Sequence, residues 1–216
     1  MAKVKNTWIG AALDESGSMS HLRSDTIGGF NSWLEEIRKT DDDKTNLLGI
    51  TFDSGGGATD NVRVIADKPL SEWSPITEDD YLPRGMTPLL DAVHYLITSI
   101  EKKMGKKDRA LVLVMTDGQE NASREITAEQ LKAKVAELEA TDRWTFVYIG
   151  ATLDAFNAAT SYGLHTNSAM SVNTAVGSTK LYTNATAGTV NYLRQTNMTS
   201  TKQFLTDEQK KDLVEP

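Results

Sequence analysis

Apolar positions along this chain follow two rhythms. Continuous apolar runs at Trp8–Leu13, Leu47–Phe52, Ala110–Met115 and Trp144–Ile149 read as strands covered on both faces. Between them the apolar residues recur at helical spacing. Ile27, Phe30, Leu34 and Ile37 give Ser24–Thr40 one apolar face, and Leu89, Val93, Leu96, Ile100 and Met104 give another to a helix opened by Thr87-Pro88. Thr is a favoured N-cap and Pro suits the first helical position. Thr127 and Gln130 form a capping box, with Ile126 and Leu131 placed for a hydrophobic staple, so a third helix runs from there to Ala140.

Other segments fill in the pattern. Val62–Ala66 alternates like a strand, and the turn-rich stretch DSGGGATDN, Asp53 to Asn61, joins it to Leu47–Phe52 as an antiparallel hairpin. Pro69 to Pro83 reads as a loop, in which Trp73 and Tyr81 are packing residues. Thr152–Tyr162 reads as a helix closed by Gly163. After Leu164 the composition shifts to Thr, Asn, Ser and Ala, with a short strand at Ala169–Val172 and one helix within Thr174–Arg194 expected. Residues 1–198 read as one domain and Thr199–Pro216 as a polar, flexible tail.

Alternating strand and helix implies a doubly wound α/β domain. Its central sheet is mostly parallel, with helices on both faces and Val62–Ala66 as one antiparallel edge strand. In such sheets ligands bind beyond the carboxyl ends of the strands, where strand order reverses. The residues that follow Leu13 and Met115 are therefore the ones to read for chemistry.

Composition narrows the chemistry. The chain has 216 residues, 39% hydrophobic and 25% charged, ordinary values for one globular domain with an appendage. A formal net charge of −7 disfavours binding to nucleic acid. The short basic cluster Lys102, Lys103, Lys106, Lys107 and Arg109 reads as a solvated helix end, where cations suit the helix dipole. With no cysteine, disulfides, thiolate zinc sites and cysteine nucleophiles are excluded. His21, His94 and His165 are scattered, which argues against a histidine zinc site. The apolar run after the N-terminal lysines is short and ends in Asp14, so neither a signal peptide nor a membrane span is expected, and a cytoplasmic protein is.

Three polar clusters fall at strand ends. The first strand runs into Asp14-Glu15-Ser16-Gly17-Ser18, and Ala110–Met115 runs into Thr116-Asp117-Gly118. Thr87 opens a helix that must start on the same side of the sheet. All three offer carboxylate and hydroxyl oxygens only, the hard ligands that suit magnesium, manganese or calcium. Each has a plainer reading: Asp14 as a turn cap, Thr87 as an N-cap, Asp117-Gly118 as a turn dipeptide. Competing chemistry finds less support. An EF-hand loop begun at Asp14 needs glycine where Met19 stands, and an aspartyl phosphatase needs aspartate where Ser16 stands. No G-x-S-x-G elbow surrounds the serines, and SGGGATD lacks the lysine of a phosphate-binding loop.

Together DESGSMS, GMTPLLDA and VMTDGQEN resemble the von Willebrand factor type A family. That family's metal-ion-dependent adhesion site is a D-x-S-x-S turn, a threonine on a second loop and an aspartate on a third. Asp14, Ser16 and Ser18 match the first element, Thr87 the second and Asp117 the third. Strand order and spacing match from Asn6 to Tyr162 and on to the helix before Arg194, and the chain looks similar to stand-alone members from bacteria and their phages.

The resemblance implies a module that binds a protein partner without catalysis, through Mg2+ (or Mn2+ or Ca2+) whose coordination a partner Asp or Glu completes. Asp14, Ser16 and Ser18 would hold the ion directly, Thr87 directly or through water, and Asp117 through a coordinated water. Glu15 is expected to face solvent. Two other readings are a magnesium-dependent phosphoester hydrolase, for which no general base stands out, and a regulatory or assembly subunit of an AAA-type ATPase. In some relatives a movement of the last helix couples to the site. The Thr- and Asn-rich C-terminal region departs from an amphipathic pattern, so that switch is not expected here.

Overall fold

The computed structural model describes residues 3–40, 43–55, 61–117, 120–150, 169–171 and 177–196. Its strands are β1 (Thr7–Asp14), β2 (Thr45–Phe52), β3 (Val62–Pro69), β4 (Arg109–Thr116), β5 (Trp144–Gly150) and β6 (Ala169–Ser171). Its α-helices are α1 (Arg23–Arg38), α2 (Leu89–Glu101), α3 (Ala128–Glu139) and α4 (Gly177–Arg194). The expected helix at Thr152–Tyr162 and the tail Thr199–Pro216 lie outside the described residues.

The strands form one sheet in the order β3-β2-β1-β4-β5-β6. Among the described residues only β3 runs antiparallel to its neighbour, so the doubly wound, mostly parallel sheet with one antiparallel edge strand is the observed fold. Alternation along each central strand divides the core in two. Ile9, Ala11 and Leu13 of β1, with Leu111, Leu113 and Met115 of β4, pack under α1 and α4. Ala12, Ala110, Val112 and Val114 face the other way, toward α2 and α3. Every residue of β4 is buried, which is why Ala110–Met115 within it is an unbroken apolar run. At the edge, β3 keeps Arg63, Asp67 and Lys68 among its residues, charges of the kind that discourage strand addition.

Three local expectations change. Thr87 does not cap α2: Pro88 holds the N-cap position, with no side-chain cap bond. The helix amides are met instead from the loop after β4, Leu90 N donating to Glu120 at 3.0 Å and Asp91 N to Ser123 Oγ at 3.1 Å. Arg109 is not part of a solvated cluster. It is buried, donates to Thr7 Oγ1 at 3.1 Å and lies 4.3 Å from the centre of the Tyr192 ring, whereas Lys102, Lys106 and Lys107 are exposed. Third, α4 docks firmly despite its threonines. Thr186 and Thr189 turn their hydroxyls back onto the carbonyls of Tyr182 and Ala185, at 2.7 and 2.8 Å, so little polarity is left to solvate. The Trp33 indole then donates to Thr189 at 3.1 Å and the Tyr192 hydroxyl to the Ala110 carbonyl at 3.0 Å.

The α1–α4 contact depends on Gly29, where an added Cβ would lie 2.2 Å from the Tyr182 ring. At neighbouring Gly28 an added Cβ meets nothing within 4 Å. Gly29→Ala should therefore destabilise the fold by about 2 kcal/mol. Gly28→Ala should be neutral or stabilise by up to about 1 kcal/mol through helix propensity. Urea unfolding of the two variants checks this: equal effects would mean the helices are not in close contact there.

Candidate metal centre

Parallel β1 and β4 lie side by side, Leu13 opposite Met115, and the chain leaves them toward opposite edges of the sheet. Their carboxyl ends therefore flank the crevice in which doubly wound sheets bind ligands. Asp14 closes β1 and is fully buried there. Its Oδ1 accepts from Ser16 N at 2.8 Å and its Oδ2 from the Thr116 hydroxyl at 2.5 Å. Ser18 donates to Asp117 Oδ1 at 2.7 Å, and the Ser16 and Ser18 hydroxyls are 3.1 Å apart. A hydroxyl has one proton. Ser18 gives its own to Asp117, so Ser16 is the donor to Ser18. Asp14, Ser16, Ser18 and Asp117 thus form one hydrogen-bonded chain across the ends of two strands.

The loop that carries Thr87 is tied to both. Arg84 N donates to the Glu15 carbonyl at 2.7 Å, and Gly17 N donates to the Gly85 carbonyl at 3.1 Å. On the other side Thr87 N donates to Asn121 Oδ1 at 2.8 Å, and Asn121 N returns a bond to the Thr87 carbonyl at 3.1 Å. Thr87 itself is buried. The tight passage before it needs glycine: Gly85 has φ of 62°, and a Cβ there would lie 2.4 Å from Gly55 N. All five residues expected from the sequence are accordingly on three mutually bonded loops.

Other residues hold these loops, in roles that sequence reading did not assign to them. Glu15, expected in solvent, is only 2% exposed. Its carboxylate accepts from Arg63 Nη2 at 2.9 Å and from Leu82 N at 2.5 Å, bracing the Asp14 turn against β3 and the rim. Tyr81, packed as expected, donates its hydroxyl to the Asp14 carbonyl. Asp91 is buried and accepts from the backbone of Arg124 at 2.8 Å and Glu125 at 2.9 Å, fixing the loop after β4. Glu120 accepts from Ala122 N at 2.8 Å and Ser123 N at 2.6 Å. Except for the local bonds of Glu120, these partners lie too far apart in the chain for a local motif to reveal them.

Burial pushes the Asp14 carboxyl up from 3.8 to about 6. Hydrogen bonds from Thr116 and Ser16 work against this, and the negative charge of Asp117 adds to it. Burial, and then the charge of Asp14, also raises the Tyr81 phenol. Among the described residues no group of three or more His, Cys, Asp or Glu side chains gathers that could hold a metal. The donor set is therefore two carboxylates among hydroxyls, all hard oxygens. It fits Mg2+, Mn2+ or Ca2+ and would leave such an ion only partly neutralised.

The architecture is that of the von Willebrand factor type A domain. No protein-family model matches the sequence, and no curated protein matches it significantly. Solved structures do. SpaC, a pilus adhesin from Lactobacillus rhamnosus GG in its open conformation, aligns with a TM-score of 0.69 at 11% identity, over 88% of this chain and 30% of its own. The vWF domain of Mfa5, a type V pili tip protein of Porphyromonas gingivalis, aligns with a TM-score of 0.64 at 9% identity, over 92% of this chain and 99% of its own. Manganese-loaded TRAP from Plasmodium vivax gives 0.55 at 17% identity, over 78% and 68%. This chain thus spans less than a third of SpaC and nearly all of the Mfa5 domain. Identities this low establish a shared fold.

Two predictions follow from the geometry. A carboxyl whose folded pKa is raised stabilises the fold while protonated, and that contribution is lost as pH climbs from 3.8 through about 6. The loss is about 3 kcal/mol in all. In EDTA, wild type should therefore weaken by roughly 1 kcal/mol from pH 5 to 7.5 relative to Asp14→Asn, which carries no charge to bury. Parallel melting curves for the two proteins would contradict this. Gly85→Ala should cost about 2 kcal/mol or more, from positive φ and collision with Gly55 together. Chemical denaturation measures that loss.

Proposed function

We propose that this protein is a docking module that grips a partner protein through a divalent cation, with a partner Asp or Glu completing the coordination. The observation that carries this reading is the hydrogen-bonded chain of Asp14, Ser16, Ser18 and Asp117 across the ends of β1 and β4. A bound cation would supply positive charge and a coordination position open to an external carboxylate. Asp14 contributes a buried negative charge that raises cation affinity. Ser16, Ser18 and Thr87 contribute neutral oxygen lone pairs, because a hydroxyl turned away from its acceptor becomes one itself. Asp117 orients Ser18 and any water beside it. Mg2+ is the expected ion, and the same oxygens take Mn2+ or Ca2+. A net charge of −7 favours a protein partner over nucleic acid. No helix among the described residues is long and apolar enough to cross a membrane, and we place the module in the cytoplasm, away from lipid.

The hydrolase alternative has one observation in its favour. His21 Nδ1 lies 2.6 Å from the Ser18 carbonyl, so it must donate, which leaves Nε2 as an acceptor near the cluster. The imidazole is exposed, however, and the nearby Glu120 carboxylate is engaged by amides. Docking without turnover is the better-supported reading. Purified protein with MgCl2 should not hydrolyse p-nitrophenyl phosphate. Turnover that disappears in His21→Ala would reinstate the enzyme.

The docking reading is tested by thermal shift and capture. MgCl2 or MnCl2 should raise the Tm of wild type by several degrees and leave Asp14→Ala unmoved. The gain should fade below about pH 6, where the proton competes for Asp14. In a lysate of the source organism, wild type should retain proteins that EDTA releases and Asp14→Ala never holds. Capture that survives both EDTA and the substitution would defeat the metal bridge.

A further inference from the structure

The segment Tyr81–Thr87 forms one rim of the candidate metal centre, and it combines a fixed backbone with an apolar surface. Four large apolar side chains are exposed among the described residues — Val64, Leu82, Met86 and Tyr95 — and two of them share this short loop. Leu82 is 46% exposed and Met86 50%. Single exposed apolar residues are ordinary. Here the pair stands on the same rim as Thr87, with Met86 next to it in the chain.

The loop is not loose. Leu82 N donates to Glu15 at 2.5 Å, Arg84 N to the Glu15 carbonyl at 2.7 Å, and Met86 N to Ser54 Oγ at 2.8 Å. Ser54 N and Gly17 N donate to the carbonyls of Met86 and Gly85, each at 3.1 Å. Side chains on a backbone held this way give up little freedom when something docks on them. Charge points in the same direction. Arg84 is the one charged residue between Tyr81 and Thr87, its side chain is 54% exposed, and the acid it pairs with, Asp53, is buried. An incoming carboxylate meets no exposed acid on this rim.

We propose that Leu82 and Met86 form an apolar specificity surface beside the metal, and that the partner is a protein segment in which the metal-reaching Asp or Glu is flanked by an aliphatic or Phe side chain. The inference rests on the docking function above and adds what that function leaves open, namely which acidic segments bind. Covering the exposed parts of these two side chains is worth roughly tenfold in affinity.

Random peptides displayed on phage, selected on the full chain in MnCl2 and eluted with EDTA, test this. Wild type should enrich Asp or Glu with Leu, Ile, Val, Met or Phe beside it. Leu82→Ser/Met86→Ser should keep the Mn2+-induced rise in Tm and the acidic enrichment. It should lose the apolar preference, and should bind a wild-type-selected peptide roughly tenfold more weakly. Acidic peptides without apolar neighbours on wild type, or an apolar preference that survives the double substitution, would overturn the proposal while leaving the metal bridge standing. If EDTA releases no peptides from wild type, or the same peptides bind Asp14→Ala, the metal bridge itself fails and this surface with it.

Discussion

A carboxylate with no solvent-exposed surface, at the end of a central strand, is the constraint around which the site is organised. Removing a carboxylate from water costs several kcal/mol unless hydrogen bonds or opposite charge replace the lost hydration. Asp14 receives two such bonds, from the amide of its own turn and from Thr116 on the adjacent strand. They do not fully compensate, because the carboxyl still sits at about 6 and Asp117 adds to the burden. Local instability of the ionised site and affinity for a cation are then one quantity seen from two sides. Whatever free energy the buried charge withholds from the fold is available to any ion that neutralises it.

The other buried or half-buried acids nearby have a different job, and their partners show why. Asp91, Glu120 and Glu15 accept mainly from backbone amides, with Arg63 added for Glu15 and the Ser123 hydroxyl for Glu120. An amide hydrogen cannot rotate away, so these carboxylates work as fixed braces. Asp117 and one oxygen of Asp14 accept from hydroxyls, which can turn and present a lone pair instead. Acids held mainly by amides are fixed in place, whereas Asp14 and Asp117 are the ones the proposed docking function would ask to share a cation.

Much of the fold was legible because central strands walled on both faces must be apolar throughout, and Trp8–Leu13 and Ala110–Met115 are. The Val62 strand was readable from its glycine-rich turn and its alternation. At Thr87 and Glu15, where reading failed, the deciding partner was distant in sequence. Thr87-Pro88 looks like a cap until Glu120 and Asn121 arrive from across the crevice. Glu15 looks solvated until Arg63 and Leu82 close over it. The last helix looks insufficiently amphipathic because single-letter polarity counts Thr186 and Thr189 as hydrophilic, although their hydroxyls are satisfied within the helix. The five candidate residues could be picked out for the opposite reason: three of them sit within one turn, and the others directly follow or precede recognisable elements.

Identity of 9–17% to proteins with the same architecture also has a physical reading. The fold asks only for apolar strands of the right length and helices to cover them, which very many sequences satisfy. The proposed cation grip would ask for only a few oxygens. Neither requirement distinguishes one carboxylate-bearing partner from another, since any Asp or Glu presents the same head group. Discrimination must come from surfaces around the grip that differ in shape and polarity and are stiff enough to reject poor matches. In this chain the rim from Tyr81 to Thr87 has those properties, pinned through Glu15, Gly17 and Ser54 while it turns Leu82 and Met86 outward. The buried interactions that secure Asp14 and the exposed ones that would select a partner therefore meet in the same loop, through Glu15.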